Sequence, residues 1–265
     1  MDDQTEYDPE YELYKALNSK RLIKNNIDET EELVLNTEIP SIDIDYMDRT
    51  SSTDFKYVRE KYDNEINDVS KKYGVSPNLI RAMVTQESVG IDTNLMQITW
   101  DAWEDHVFNV PNFETMTFEK YVLTDDSSKY GDGFNTISRN DLNIPENNIK
   151  IGVFIFKELL EDYYNYNIPL AIQAYNYGPG NINNLLEIES SVTGKSVKEL
   201  IDDKTNVDFI NYTNNISQGD PNYLKNVLSY LDDKKIDIKS IDKNHIGNLV
   251  ITNSIVLNNQ KAKTL

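Results

Sequence analysis

Pro77-Asn78-Leu79-Ile80-Arg81-Ala82-Met83-Val84-Thr85-Gln86-Glu87-Ser88 is the stretch whose reading decides the fold. Ser76 and Pro77 read as an N-cap followed by proline at the first helical position, and Leu79, Ile80, Met83 and Val84 share one helical face. Glu87 follows Val84 by three residues, Met83 by four, Ile80 by seven and Leu79 by eight, so its carboxyl lies on the buried face in the helix's last turn. Burial and the negative end of the helix dipole both favour the protonated form there, which is the state a general acid needs at neutral pH.

Upstream, Phe55, Val58, Tyr62, Ile66, Val69 and Tyr73 recur at three- and four-residue spacing, an amphipathic helix ended by Gly74. Downstream, residues 91–146 are rich in Asp, Asn, Gly and aromatics, with short helical pieces predicted around Trp100 and Phe118. A strongly apolar helix is predicted over 148–164. Another opens at Pro169 and ends at Gly178-Pro179-Gly180, and more follow near 181–189, 196–203, 206–216 and 221–231. Asp220-Pro221 reads as a further cap and first-turn pair. Ile236, Ile238 and Ile241, then Leu249, Ile251, Ile255 and Leu257, read as two short strands or as an extended connector. The expected organisation is an acidic arm or linker over 1–53, a mainly α-helical domain over 54–231 and a C-terminal extension over 232–265.

Composition narrows the chemistry. The 265 residues carry 26 Lys and Arg against 45 Asp and Glu, a net charge of −19, which repels nucleic-acid phosphates. No apolar run is long enough for membrane insertion, and the amino terminus has neither the basic start nor the apolar stretch of a secretory signal. Without cysteine there is no thiolate nucleophile or thiolate metal site, and His106 and His245 form no metal-binding pair and flank no nucleophile elbow. Carboxylates remain as the natural catalytic groups, and no metal or organic cofactor is expected.

Four blocks stand in order: Gln86-Glu87-Ser88, Asn94-Leu95-Met96-Gln97-Ile98, Ala174-Tyr175-Asn176-Tyr177-Gly178-Pro179-Gly180-Asn181, and Pro221-Asn222-Tyr223 through Tyr230. Together, over residues 55–231, they resemble the soluble lytic transglycosylase domain and its relatives, the goose-type lysozymes. The resemblance implies a lysozyme-like fold that cuts the β-1,4 bond between N-acetylmuramic acid and N-acetylglucosamine in peptidoglycan glycan strands. It also implies that Glu87 is the acid/base and that the product ends in a 1,6-anhydro ring. Substrate contacts are implied for Ser88, Met96, Gln97, Tyr175, Asn176 and Tyr223, with the Tyr175 phenol orienting Glu87. Plainer readings stand beside these: Met96 as core, Asn176 as a helix-end hydrogen bonder, Tyr223 as a surface aromatic.

The chain departs from the family pattern in several places. Asn94 replaces a glycine, which suits a left-handed turn. The loop after Ser88 is short, and Gly219 takes the place of an acidic residue, with Asp220 adjacent. The shortened loop opens a hydrolytic alternative, a lysozyme in which Asp92 or Asp101 activates water as a second carboxylate. A module that binds the wall without cutting it is a third reading. The acidic arm and connector-like end suggest a phage product, tail-associated or released at lysis, whose ends dock onto other virion proteins.

Overall fold

The structure, a computed structural model, describes residues 41–205, 219–241 and 250–259. The acidic stretch up to residue 40, the helix expected at 206–216 and His245 lie outside them. The fold is mainly helical. Helix α1 (Thr53–Tyr73) buries all six residues of the expected stripe. Ser52 caps its start by accepting a hydrogen bond from the Phe55 amide at 3.2 Å, and Gly74 ends it with φ of 72°.

Helix α2 (Pro77–Ser88) follows, with Leu79, Ile80, Met83 and Val84 buried. The Ser76 hydroxyl makes no capping bond, contrary to expectation. The chain enters α2 from a β-bridge between Val75 and Ile238, and the Ser76 amide donates to the Asp237 carbonyl at 3.0 Å. That bridge, rather than a cap, sets the helix start.

After the short α3 (Trp100–Trp103) comes a small sheet of β2 (Val107–Asn112), β3 (Thr117–Leu123) and β4 (Phe134–Ile137). Strands β2 and β3 run antiparallel, and β3 and β4 parallel. Phe118, expected in a helical piece, therefore lies in a strand. The run from Thr117 to Val122 is rich in aromatic and β-branched residues, and cross-strand pairing such as Pro111 with Phe118 overrides any local helical preference.

Helix α4 (Pro145–Glu158) is buried from Asn148 to Lys157, its central run over 151–156 being wholly apolar, with the polar Asn148 and Lys157 buried at either end. A π-helical turn over Leu159–Tyr163 follows it. Gly152 lets the Met96 loop lie close, since a β-carbon there would stand 2.7 Å from the Met96 side chain. Helices α5 (Ile168–Tyr177), α6 (Pro179–Thr193), α7 (Val197–Asp202) and α8 (Tyr223–Ser229) follow among the described residues. Asp220-Pro221 is not the cap of α8. Asp220 forms an Asx turn, accepting from the Asn222 amide at 2.8 Å, and the helix opens at Tyr223.

The C-terminal pattern forms strands, β5 (Lys235–Ile241) and β6 (Val250–Asn259), paired antiparallel. Residues from the stretch read as an arm join them: β1 (Ser41–Ile44) runs parallel to β6, giving the order β1-β6-β5. The Lys239 amide and the Gly74 carbonyl, 2.7 Å apart, tie this sheet to the α1–α2 turn.

Candidate active site

Glu87 sits half-buried in the last turn of α2, where the sequence reading placed it. The next helix boundary residue, Val89, is left-handed at φ of 57°, a costly state for a β-branched side chain. That reversal turns the chain sharply away just past the carboxyl.

Burial is the larger influence on Glu87 and pushes its pKa up to about 7, while a hydrogen bond from the Tyr223 hydroxyl pulls the other way. The Tyr223 hydroxyl donates to Glu87 Oε1 at 2.5 Å. Tyr223 is 1% exposed, so it is not the surface aromatic of the plainer reading. Burial first, and then the charge of Glu87, hold its phenol well above the ordinary tyrosine range, and it stays a proton donor. Burial and the Glu87 charge raise Tyr175 in the same way, which places that phenol within electrostatic reach of the acid. Its hydroxyl, however, donates to the Met96 carbonyl at 2.9 Å. The phenol that orients Glu87 is therefore Tyr223, and Tyr175 instead fixes the loop opposite.

That loop is held by amides. The Met96 side chain is fully buried against α4, so only its backbone faces the polar network. The Met96 amide donates to Asn148 Oδ1 at 2.8 Å. Asn148, itself completely buried, also donates to Asn94 Oδ1 and to the Leu142 carbonyl, each at 3.0 Å. Asn94 is not left-handed. It brackets Ile98 instead, accepting from that amide at 2.8 Å and donating to that carbonyl at 3.0 Å, and the positive φ falls on Gln97 at 49°.

Gln97 is exposed, and its side chain donates to Asp92 Oδ2 at 3.2 Å and to the Asn94 carbonyl at 3.1 Å. Hydrogen bonds from the Asn94 amide and then from Gln97 hold the exposed Asp92 carboxyl below the usual carboxylate range. Both of its oxygens are engaged in closing the turn. Asp101 is exposed and pairs with Arg139 at 3.5 Å. The Ser88 hydroxyl donates to the Leu95 carbonyl at 2.9 Å and accepts from the Gly90 amide at 3.1 Å, so it clips the helix end to the loop. His106 contacts Glu158 Oε2 at 2.7 Å and packs edge-on against Phe108.

On the far side Asn176 accepts from the Asp220 amide through Oδ1, at 2.6 Å. The fully buried Gln173 donates to the Asp220 carbonyl and accepts from the Leu224 amide, both at 3.1 Å. Asn148 and Gln173 were not singled out from the sequence. The available signal was an amide interrupting an apolar helical face, Asn148 before Ile149 and Gln173 between Ile172 and Ala174.

The site thus joins the end of α2, the 94–98 loop, α5 and the start of α8 around the Glu87 carboxyl, whose pKa is raised where that of Asp92 is lowered. A family model described as the transglycosylase SLT domain matches residues 122–200. The match takes in Tyr175 and Asn176 and lies between Glu87 and Tyr223 in the chain. No curated protein and no solved structure is significantly similar to the chain. The match covers less than a third of the chain, and together with the mainly helical architecture it supports a likeness to the transglycosylase SLT domain, a peptidoglycan-cleaving domain with a lysozyme-like fold.

Proposed function

We propose that this enzyme cleaves the β-1,4 bond between N-acetylmuramic acid and N-acetylglucosamine without water, with Glu87 as both acid and base. The observation that carries the reading is the half-buried Glu87 carboxyl, pushed up to about 7 by burial and held by the Tyr223 hydroxyl, with no charged side chain among the described residues contributing to that rise. A hydrolytic pair of carboxylates would show mutual influence or an opposed, open second acid, whereas Asp92 is fastened into its own turn.

Protonated Glu87 gives its proton to the glycosidic oxygen as the bond to the anomeric carbon breaks. The resulting carboxylate takes the proton of the muramoyl C6 hydroxyl. The C6 oxygen bonds to the anomeric carbon and closes the 1,6-anhydro ring, so Glu87 ends as it began. Tyr223, donating to Oε1, stabilises the carboxylate in the intermediate stage. In this reading the exposed Gln97 amide and the Tyr175 ring are the groups for sugar contact.

Mass analysis of muropeptides released from purified peptidoglycan tests this. Anhydro-ended products are expected. Reducing ends would replace the reading with a lysozyme mechanism, and an absence of products would leave a wall-binding module. The pH profile is a second check. The proton-bearing form of Glu87 begins the reaction, so the rate is expected to be level below about pH 7 and to fall about tenfold per unit well above it. Clearing of a cell-wall suspension between pH 5 and 9 measures this, and a rate that climbs through pH 8 would oppose it. The setting we propose is the bacterial wall, reached from a phage tail or at lysis, with the chain's ends docking onto other virion proteins.

A further inference from the structure

Tyr223 is the first residue of α8, and α8 is poorly equipped to hold it. The helix has seven residues, too few to be stable alone, and Asn222 supplies no side-chain cap. The orphan amides of its first turn need partners from elsewhere. Gln173 provides one from another helix, its Oε1 accepting from the Leu224 amide at 3.1 Å. The same side chain donates through Nε2 to the Asp220 carbonyl at 3.1 Å. One buried amide therefore grips the backbone on both sides of Tyr223.

Asn176, three residues further along α5 and so on the same face, accepts from the Asp220 amide at 2.6 Å. Gly219, at φ of 87°, allows this approach, since a β-carbon there would lie 2.9 Å from Asn176 Oδ1. Asp220 closes the turn internally, through the Asn222 amide and the Asn226 side chain, both at 2.8 Å.

We infer that Gln173, aided by Asn176, is a positioning residue that holds the Tyr223 phenol against Glu87 by fixing the backbone of residues 219–224. Gln173 is fully buried, and both ends of its amide are engaged in the grip, which leaves it no part in sugar contact. Only the kinetic part of the test rests on the reading of Glu87 as the reacting acid.

The test is a double-mutant cycle between Gln173→Met and Tyr223→Phe, read in two ways. Methionine keeps the unbranched shape and removes both hydrogen bonds. The first readout is the titration of the Glu87 carboxyl, followed by NMR of carboxyl-labelled glutamate and assigned with Glu87→Gln. Tyr223→Phe removes the bond that favours the carboxylate and is expected to raise the midpoint. Gln173→Met is expected to move it the same way, and the double variant no further than Tyr223→Phe alone. The second readout is wall cleavage: kcat falls about tenfold in Gln173→Met with KM within about twofold, and the effect shrinks below about twofold in the Tyr223→Phe background.

Asn176→Ala removes one bond from a half-buried side chain and carries the same cycle if Gln173→Met does not fold. An unmoved Glu87 titration in both brace variants, or effects that simply add to those of Tyr223→Phe, would overturn the inference. Should the parent release no products while the titrations still behave as described, the functional reading fails and the brace stands.

Discussion

Glu87→Gln is expected to lower wall-cleaving activity about 10³-fold, within the range lost when a general acid is removed. Glutamine preserves shape and can still accept from the Tyr223 hydroxyl, so the fold is expected to survive. The same substitution carries a stability signature of definite sign. In the folded chain Glu87 holds its proton up to about pH 7, against the ordinary glutamate value of 4.5 when unfolded. Below the unfolded value both states are protonated and the stability is fully present. It is lost as pH rises through the folded value, because a carboxylate then has to be kept partly out of water.

The interval corresponds to ~3 kcal/mol for a fully buried group, and roughly 2 kcal/mol after allowance for water reaching this half-buried side chain. Glu87→Gln, which never ionises, is therefore expected to melt about 4–8 °C above the parent at pH 8 and close to it at pH 4. Thermal unfolding followed by circular dichroism measures this. A variant that is fully active, or whose melting offset does not change with pH, would contradict the assignment of Glu87 as a proton-holding acid.

Lys157→Met is expected to cost about 3–5 kcal/mol, the usual penalty for removing one partner of a buried ion pair. Lys157 is 2% exposed and lies 2.8 Å from Glu161 Oε1, one turn further on, where the helix passes into the π-helical turn. It also donates to the Lys239 carbonyl at 2.9 Å and so fastens the centre of the helical core to β5. Methionine replaces the stem but takes the cation from a buried carboxylate and the donor from that carbonyl. Urea denaturation should show the midpoint falling sharply. A Lys157→Met/Glu161→Leu double substitution should regain much of the loss, since a buried pair replaced whole is often close to neutral. A single-variant loss below about 1 kcal/mol would show that the pair contributes little.

The helical frame was legible because its signals are local. The stripe from Phe55 to Tyr73, Gly74 after it, and the prolines at 77 and 169 each mark an element by period or backbone restriction. The position of Glu87 followed from the same arithmetic. What escaped is set by tertiary contacts. Phe118 was misplaced because strand pairing decided its conformation, and β1 went unseen because a four-residue strand paired parallel to residues 256–259 leaves no mark in its own neighbourhood. Which of two tyrosines reaches Glu87 depends on where the Tyr175 hydroxyl is already held, a fact about Met96 that spacing does not contain. The amides of Asn148 and Gln173 were missed for a related reason: in sequence a buried polar residue looks like a surface one until its partners are placed.

The parallel pairing of β1 with β6 bears on how far the molecule can be shortened. Ile42 and Ile44 face the interior, 1% and 5% exposed, and β1 covers one side of β6, the middle strand of its sheet. A protein trimmed back to residue 54, where the helical unit begins, would keep every residue of the site and yet bare a row of unsatisfied amides and carbonyls along β6. Such a row recruits strands from other molecules, so the trimmed enzyme would lose solubility before it lost chemistry.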